Sequence, residues 1–217
     1  TKKRLEGHSA KKIKDAQTNI DKAVKKEEFN LSPYYAILLF DADKMGKFIS
    51  GANLKNQNET RKFQQLLSKK LIAFAHYAKK YVDGDKDEIV KGRTVYAGGD
   101  DFLGFINLDY LFEVLMHLRQ EFKRQVNKEI ETDVLADNEF TFSAGVVIAH
   151  YKTPLNAVLE QAHASEQMAK RETGGDRNAF CLTVMKHSGE VNQTVSKWYQ
   201  NSEFVLKDLQ WLVKQFR

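Results

Sequence analysis

The spacing of apolar and polar positions changes several times along the chain, and each change marks an element. Residues 35–40, Tyr-Ala-Ile-Leu-Leu-Phe, form an unbroken apolar run that ends abruptly in Asp41 and Asp43. So short and continuous a run predicts a strand buried on both faces in the middle of a sheet. A short helix is expected over 44–50 and a polar loop over 51–58. From 59 to 82 the spacing becomes helical, with Phe63, Leu66, Leu67, Phe74, Ala75 and Ala78 on one face, and Asp83-Gly84-Asp85 closes the helix. Two strand-like stretches, 89–97 and 102–108, flank Gly98-Gly99. That pattern predicts a hairpin, because glycine takes positive φ without a Cβ penalty.

A second helix is predicted over 109–127, with Leu111, Val114, Leu115, Leu118 and Phe122 facing in, and the polar stretch 131–138 leads to a strand at 139–149. Another helix covers 154–171, Gly174-Gly175 opens a loop, and a strand follows over 178–185. The final helix, about 191–216, carries Trp198, Phe204, Leu209, Trp211 and Leu212. The order β-α-β-β-α-β, extended by α-β, predicts an α+β, ferredoxin-like fold: an antiparallel sheet with helices on one face, flanked by N- and C-terminal helices. This is the palm layout of nucleotide-polymerising enzymes and nucleotidyl cyclases. Three segments are expected: a basic helical stretch over 1–33, the palm over 34–190, and a C-terminal helix over 191–217 that begins a helical domain.

Composition narrows the class without naming a chemistry. The 217 residues are 42% apolar and 29% charged, the balance of an ordinary globular protein with enough chain for a sizeable core. The single cysteine, Cys181, rules out an internal disulfide and a multi-cysteine zinc site, and its apolar surroundings predict a buried, inert thiol. No apolar run approaches the roughly 18 residues of a membrane span, and no signal-peptide pattern opens the sequence. No membrane partner is therefore expected, and a reducing cytoplasm is the default location. The sequence opens at Thr1 in helical character, as a piece of a longer protein would. Net charge is +5, but the first 26 residues hold nine Lys/Arg against three acids, so the basic character sits at the N-terminus. Ile13, Ala16, Ile20 and Val24 recur there at helical spacing, predicting an amphipathic helix. Its charged face is either solvated or set against nucleic acid or an acidic protein. The six histidines show no metal-ligand spacing.

Neither a strand nor a hairpin needs the acidic pair that each carries. Aspartate is depleted in strands and adjacent carboxylates repel, yet Asp100 and Asp101 occupy the hairpin tip and Asp41 and Asp43 end the central strand. Two residues apart on a strand, Asp41 and Asp43 leave the same face. In the ferredoxin-like topology the first strand lies beside the strand carrying the tip, so the two pairs converge at one edge. Such a set can hold two hard cations, Mg²⁺ or Mn²⁺, which stabilise attacking and leaving oxygens in nucleotidyl transfer. The plainer readings are an acidic polar turn at 100–101 and capping of helix 44–50 by one of the upstream pair.

Five stretches resemble one family. They are Phe-Asp-Ala-Asp-Lys-Met-Gly-Lys-Phe-Ile-Ser-Gly (40–51), Tyr-Ala-Gly-Gly-Asp-Asp-Phe-Leu (96–103), Phe-Ser-Ala-Gly-Val-Val-Ile-Ala-His-Tyr-Lys-Thr-Pro-Leu (142–155), Ala-Lys-Arg-Glu…Arg-Asn-Ala (169–179) and Met-Lys-His-Ser-Gly-Glu (185–190). Over 34–190 the chain is similar to the second palm of the large polymerase-like subunit of type III CRISPR interference complexes, in the Cmr branch. Gly-Gly-Asp-Asp is also similar to the turn of GGDEF diguanylate cyclases. The His-Tyr-Lys-Thr-Pro-Leu and His-Ser-Gly-Glu stretches make the CRISPR resemblance specific.

The resemblance implies an activity. In that family, target RNA binding lets the palm pair join ATP through 3′–5′ bonds into cyclic oligoadenylates, which switch on accessory nucleases. Asp41, Asp100 and Asp101 would be catalytic and hold the Mg²⁺ or Mn²⁺ ions. Ala42 and Asp43 belong to the same metal-binding segment, with Asp43 either assisting or orienting the turn. Backbone N–H groups of Lys44, Met45, Gly46 and Lys47 would cradle phosphates at a helix start, beside the Gly98-Gly99 turn. Lys170 and Arg177 would meet the triphosphate tail, and Ser143 and Ala144 would line the adenine. The implied partners are ATP, the other CRISPR effector subunits, guide and target RNA, and a second palm, in the same subunit or in another copy. The family's zinc module and His-Asp nuclease are not expected here. Two rival readings stand beside this one: a GGDEF-like cyclase or minimal stand-alone CRISPR polymerase, and an inactive palm serving as an RNA- or protein-binding scaffold. Asp101 in place of Glu speaks against an ordinary diguanylate cyclase, and four retained carboxylates speak against a scaffold.

Overall fold

The sheet is built outward from its first strand. In a computed structural model that describes residues 32–52, 54–85, 88–127, 130, 139–174 and 177–215, six strands lie in the order β2-β3-β1-β4-β5-β6. They are β1 (Tyr34–Ala42), β2 (Gly92–Gly98), β3 (Asp101–Ile106), β4 (Phe142–His150), β5 (Ala179–Met185) and β6 (Val191–Lys197). The helices are α1 (Met45–Ile49), α2 (Thr60–Asp83), α3 (Leu111–Phe122), α4 (Leu155–Arg171) and α5 (Val205–Gln215). Neighbouring strands are antiparallel except β4 and β5, which run parallel and are joined by α4. A parallel pair needs such a crossover. Tyr34–Arg217 makes one compact unit. The basic helix expected over 1–33 lies outside the described residues, apart from Ser32 and Pro33. No helix among the described residues is long and apolar enough to cross a membrane.

Alternation along β1 separates two cores. Ala36, Leu38 and Phe40 pack with Phe74 and Ala78 of α2 and with Val114, Leu118 and Phe122 of α3. Ile37 and Leu39 pack on the other face with Val147 of β4 and with Val158 and Ala162 of α4. The expected α+β fold with a mostly antiparallel sheet is what forms, and α2 and α3 share one face as the βαββαβ order implies. One detail differs, because α4, from the α-β extension, covers the opposite face. With one face filled, the crossover between β4 and β5 buries its apolar stripe on the other. Leu66, expected to face in, is exposed. Cys181 is buried, and burial pushes its thiol pKa up, as expected of an inert cysteine.

The C-terminal helix expected over 191–217 is corrected. Val191–Lys197 is an edge strand paired with β5, and the helix begins only at Val205. Between them Trp198 is fully buried, its Nε1 donating to the Phe142 carbonyl at 3.0 Å, and β7 (Tyr199–Gln200) and β8 (Glu203–Phe204) form a small hairpin. The turn between them has positive φ at both Asn201 (50°) and Ser202 (68°), the pattern of a two-residue hairpin loop. Val-Asn-Gln-Thr-Val-Ser-Lys carries no helical apolar stripe, and the large apolar residues beyond it set the misleading period.

Close approach of α4 to β4 depends on Gly145. A Cβ there would lie 2.4 Å from the Ala162 carbonyl oxygen and 2.6 Å from the Glu166 nitrogen, both backbone atoms that cannot swing aside. Gly145→Ala is expected to lower stability by about 1–3 kcal/mol, despite the gain of about 0.5–1 kcal/mol that alanine brings to a strand. A urea unfolding midpoint equal to or above that of the parent would refute the close-packing argument.

Candidate functional site

Register brings the predicted carboxylates together. β1 pairs with β3 so that Asp41 stands directly opposite Asp101, and the Ala42 N–H donates to the Asp100 carbonyl at 2.9 Å, fastening the hairpin tip to the end of β1. Like charges facing each other across a strand pair are destabilising, so this arrangement calls for a counter-charge. The two glycines of the tip differ in purpose. Gly99 supplies the positive φ of the turn (69°), whereas a Cβ at Gly98 would come 2.0 Å from the Tyr96 hydroxyl.

Asp41 and Asp101 line a cavity of about 380 Å³ on the α4 face, together with Tyr96, His163, Glu166 and Lys170. Lys170, near the end of α4, is the counter-charge: its Nζ lies 2.5 Å from Asp41 Oδ2 and also pairs with Glu166 one turn earlier. Burial works against the Lys170 charge, but the two carboxylates outweigh it and hold its pKa above the ordinary value. Asp101 has no ion-pair partner among the described residues. Burial, and then the Asp100 and Asp41 charges, push its carboxyl up, against the opposing hydrogen bonds from the backbone and Tyr96. Glu166 is the residue that sequence reasoning missed here. Its position four before Lys170 on a helix was the available signal.

Asp100 lines a different cavity. With Gly99 it borders about 410 Å³ between α1 and α2, walled by Met45, Ile49, Leu67, Leu71 and Ile72. The Gln64 side chain closes that slot at one end by donating to the Ile49 carbonyl at 2.7 Å. Ile49 and Ile72 are half-exposed at this slot.

The remaining predicted residues divide. Asp43 is 3% exposed and fully engaged: its carboxylate accepts from Thr141 Oγ1 (2.7 Å), Ser143 Oγ (2.8 Å) and the Asn178 N–H (3.0 Å). Those three bonds hold the Asp43 carboxylate in place at the end of β1. Ser143 and Ala144 are fully buried, so the adenine-lining role expected of them is corrected: no ligand surface reaches them. Lys44 takes positive φ (56°), and the Lys47 N–H donates to the Lys44 carbonyl at 2.9 Å, which removes Lys47 from the amides open to a phosphate. Met45 is buried, and Gly46 is exposed at the start of α1. Arg177, also at positive φ (56°), precedes Asn178, whose N–H donates to Asp43, and so its backbone adjoins that buried carboxylate.

Whether these residues suit Mg²⁺ or Mn²⁺ is a question of donors. Among the described residues no three His, Cys, Asp or Glu side chains form a finished cage. Magnesium seldom uses one; it takes one or two carboxylates and completes its shell with water and substrate phosphates. Asp41 and Asp101, facing each other across β1 and β3, meet that requirement.

Comparison with known proteins yields consistent relatives. The sequence profile of the family described as "Cas10/Cmr2, second palm domain" matches residues 34–181. The CRISPR system Cmr subunit Cmr2 of Pyrococcus furiosus is 31% identical over 229 aligned positions, which take in 96% of this chain but only 25% of that protein. Among solved structures, a Csm1-Csm4 cassette in complex with cA4 matches with 18% identity and a TM-score of 0.49, over 84% of this chain and 24% of that one. A Csm1-Csm4 cassette in complex with one ATP matches with 20% identity and a TM-score of 0.47, over 70% and 20%. The chain thus spans about a quarter of the length of the relatives it matches.

The raised Asp101 pKa gives a signed expectation. A carboxyl whose folded pKa exceeds its ordinary 3.8 loses stability as pH rises through the interval between the two values, and the loss persists at neutral pH. Asp101→Asn should therefore melt higher than the parent at pH 7, with the gap closing as pH falls toward 3.8. A lower melting temperature with a gap independent of pH would show that this charge is not penalised.

Proposed function

The chain belongs to the Cas10/Cmr2 second-palm family, and from that premise we propose that it is the nucleotidyltransferase palm of a CRISPR effector large subunit. It binds ATP with Mg²⁺ or Mn²⁺ and, beside a second palm, makes cyclic oligoadenylate. The observation that carries this reading is the register that sets Asp41 against Asp101, with Asp100 at the tip, where a doubly buried strand reaches solvent. The family supplies the reaction class, and the carboxylates supply the chemistry. The proposed setting is the cytoplasm, among the other effector subunits and guide and target RNA.

Residue roles follow from position. Asp41, Asp100 and Asp101 would hold the ions, which would supply charge neutralisation for the triphosphate and lower the pKa of a 3′-hydroxyl brought to them. Asp43 acts through structure, fixing the turn that carries Lys44 and Gly46. Lys170 is drawn toward Asp41 and Glu166, and a triphosphate entering the cavity offers its ammonium further anionic oxygens. The base lies in the slot between α1 and α2, whose walls are apolar and whose rim is Gly99 and Asp100. An adenine there places its phosphates at the carboxylates. The acceptor 3′-hydroxyl comes from the second palm, since in-line attack needs two nucleotides held apart and aligned.

Two measurements test the proposal. Calorimetry with ATP and Mn²⁺ should detect binding that is lost by at least tenfold in Asp100→Ala/Asp101→Ala, with the melting temperature unchanged or raised. Cooperative unfolding of that variant would make the pair structural instead, and tighter binding of GTP than ATP would favour the GGDEF-like alternative. Any synthesis by this chain alone should rise more steeply than linearly with protein concentration, because the competent species is a pair of palms. Robust synthesis that stays linear where sizing shows only monomer would contradict the shared-site reading.

A further inference from the structure

Arg119 is an anomaly that the proposed chemistry leaves unused. It lies on α3, is 1% exposed, and directs Nε and Nη2 to one neutral acceptor, Asn178 Oδ1, at 3.3 and 2.8 Å. Its Nη1 has no hydrogen-bond partner among the described residues. The guanidinium carbon sits 5.8 Å from the Phe142 ring centroid and 5.7 Å from that of Tyr199; among the described residues no carboxylate forms an ion pair with it, although the Glu139 and Asp43 charges act on it from farther away. A buried cation without an ion pair is costly, and an apolar side chain of the same length would serve the core better. Stability alone does not explain this residue.

What Arg119 grips does explain it. Asn178 and the preceding Arg177 both take positive φ, 53° and 56°, a conformation that side chains with a Cβ hold only when the surroundings over-determine it. Asn178 is held at three points: its N–H donates to Asp43, its side-chain oxygen accepts from Arg119, and its carbonyl accepts the Trp198 N–H at 3.4 Å. Asp43 in turn precedes Lys44, at the phosphate-facing turn, and follows Asp41 by two residues. We infer that Arg119 is a positioning residue for the nucleotide site: through Asn178 it fixes Asp43 on one side and Arg177 on the other, setting the rim that receives the triphosphate. This rests on the reading of that rim as a nucleotide site, and it adds a residue on a helix remote from the carboxylates.

The test separates positioning from packing. Arg119→Met keeps the flexible apolar stem and removes the guanidinium, so its melting temperature should stay near that of the parent, while ATP affinity with Mn²⁺ falls about tenfold. In the same variant, hydrogen exchange at the Asn178 amide should accelerate about tenfold without change in the amides of β1 and β4. Asn178→Gly keeps the positive φ and the N–H to Asp43 but deletes the acceptor. Its affinity loss should be similar, and the double variant should lose no more than either alone, because both cut one link. Parental affinity together with unchanged Asn178 exchange in Arg119→Met would overturn the inference. So would additive losses in the double variant, or a global rise in exchange with a falling melting temperature. If the parent itself fails to bind ATP, the nucleotide reading falls, and the Asn178 exchange measurement still decides whether the link exists.

Discussion

β1 can carry charge only where it leaves the core. From Ala36 to Phe40 no residue exceeds 8% exposure, and each alternate side chain belongs to a different core. A carboxylate anywhere in that stretch would be desolvated without a partner. The acids are therefore confined to the strand's end, where antiparallel pairing with β3 fixes which residue opposes which. A one-residue slip would turn Ile37 and Leu39 into the other core and put Asp41 on the wrong face. Core packing thus specifies the position of the carboxylates, and the site inherits its precision from the register.

Electrostatics at that end depends on how closely α4 can approach. Gly145 admits the α4 backbone against β4, which brings Glu166 and Lys170 to Asp41. The ammonium sits between two carboxylates, so the site keeps its negative excess at Asp101 and on the hairpin tip. The tip also divides its charges. Asp101 opens toward α4 and Asp100 toward α1 and α2, so adjacent residues serve cavities on opposite faces of one sheet. Gly99 stands between the two, with no heavy atom within 4 Å of where its Cβ would lie.

Much of this was legible in the sequence, for reasons that differ by segment. The run 35–40, the Gly98-Gly99 turn and the stripes of α2 (Leu66 apart) and α3 were each marked in the sequence, and the order of elements implied the strand neighbours that unite Asp41 with Asp101. The stretch after 190 was misread because Trp198, Phe204, Leu209 and Leu212 mimic helical spacing. Trp198 is a core plug, Phe204 belongs to a two-stranded hairpin, and the polar β6 is recognised only by its pairing with β5. The sequence left Asp43 between assisting a metal and orienting the turn, because it and Asp41 end the same strand. What separates them is a pair of hydroxyls about 100 residues away, Thr141 and Ser143, together with the Asn178 amide. Ser143 was correctly placed beside the site yet misassigned, because nearness along a strand says nothing about depth. The slot between α1 and α2 depends on the helix–helix approach, which no periodicity encodes.

Backbone strain is distributed unevenly over the molecule, and its placement follows the charges. Among the described residues, five without the freedom of glycine take positive φ: Lys44, Arg177, Asn178, Asn201 and Ser202. The last two form the tip of an isolated hairpin, where the right-handed twist of the strands favours that geometry and no function need be invoked. The other three follow β1 or precede β5, on either side of Asp43. Each such residue costs about 1–2 kcal/mol relative to an ordinary conformation. Asp43 offsets part of that cost, since a buried carboxylate with three donors is a strong anchor and one of its donors is the amide of Asn178. The sequence left Asp43 either assisting a metal or orienting the turn; in the structure its carboxylate anchors the strained segments on either side of it.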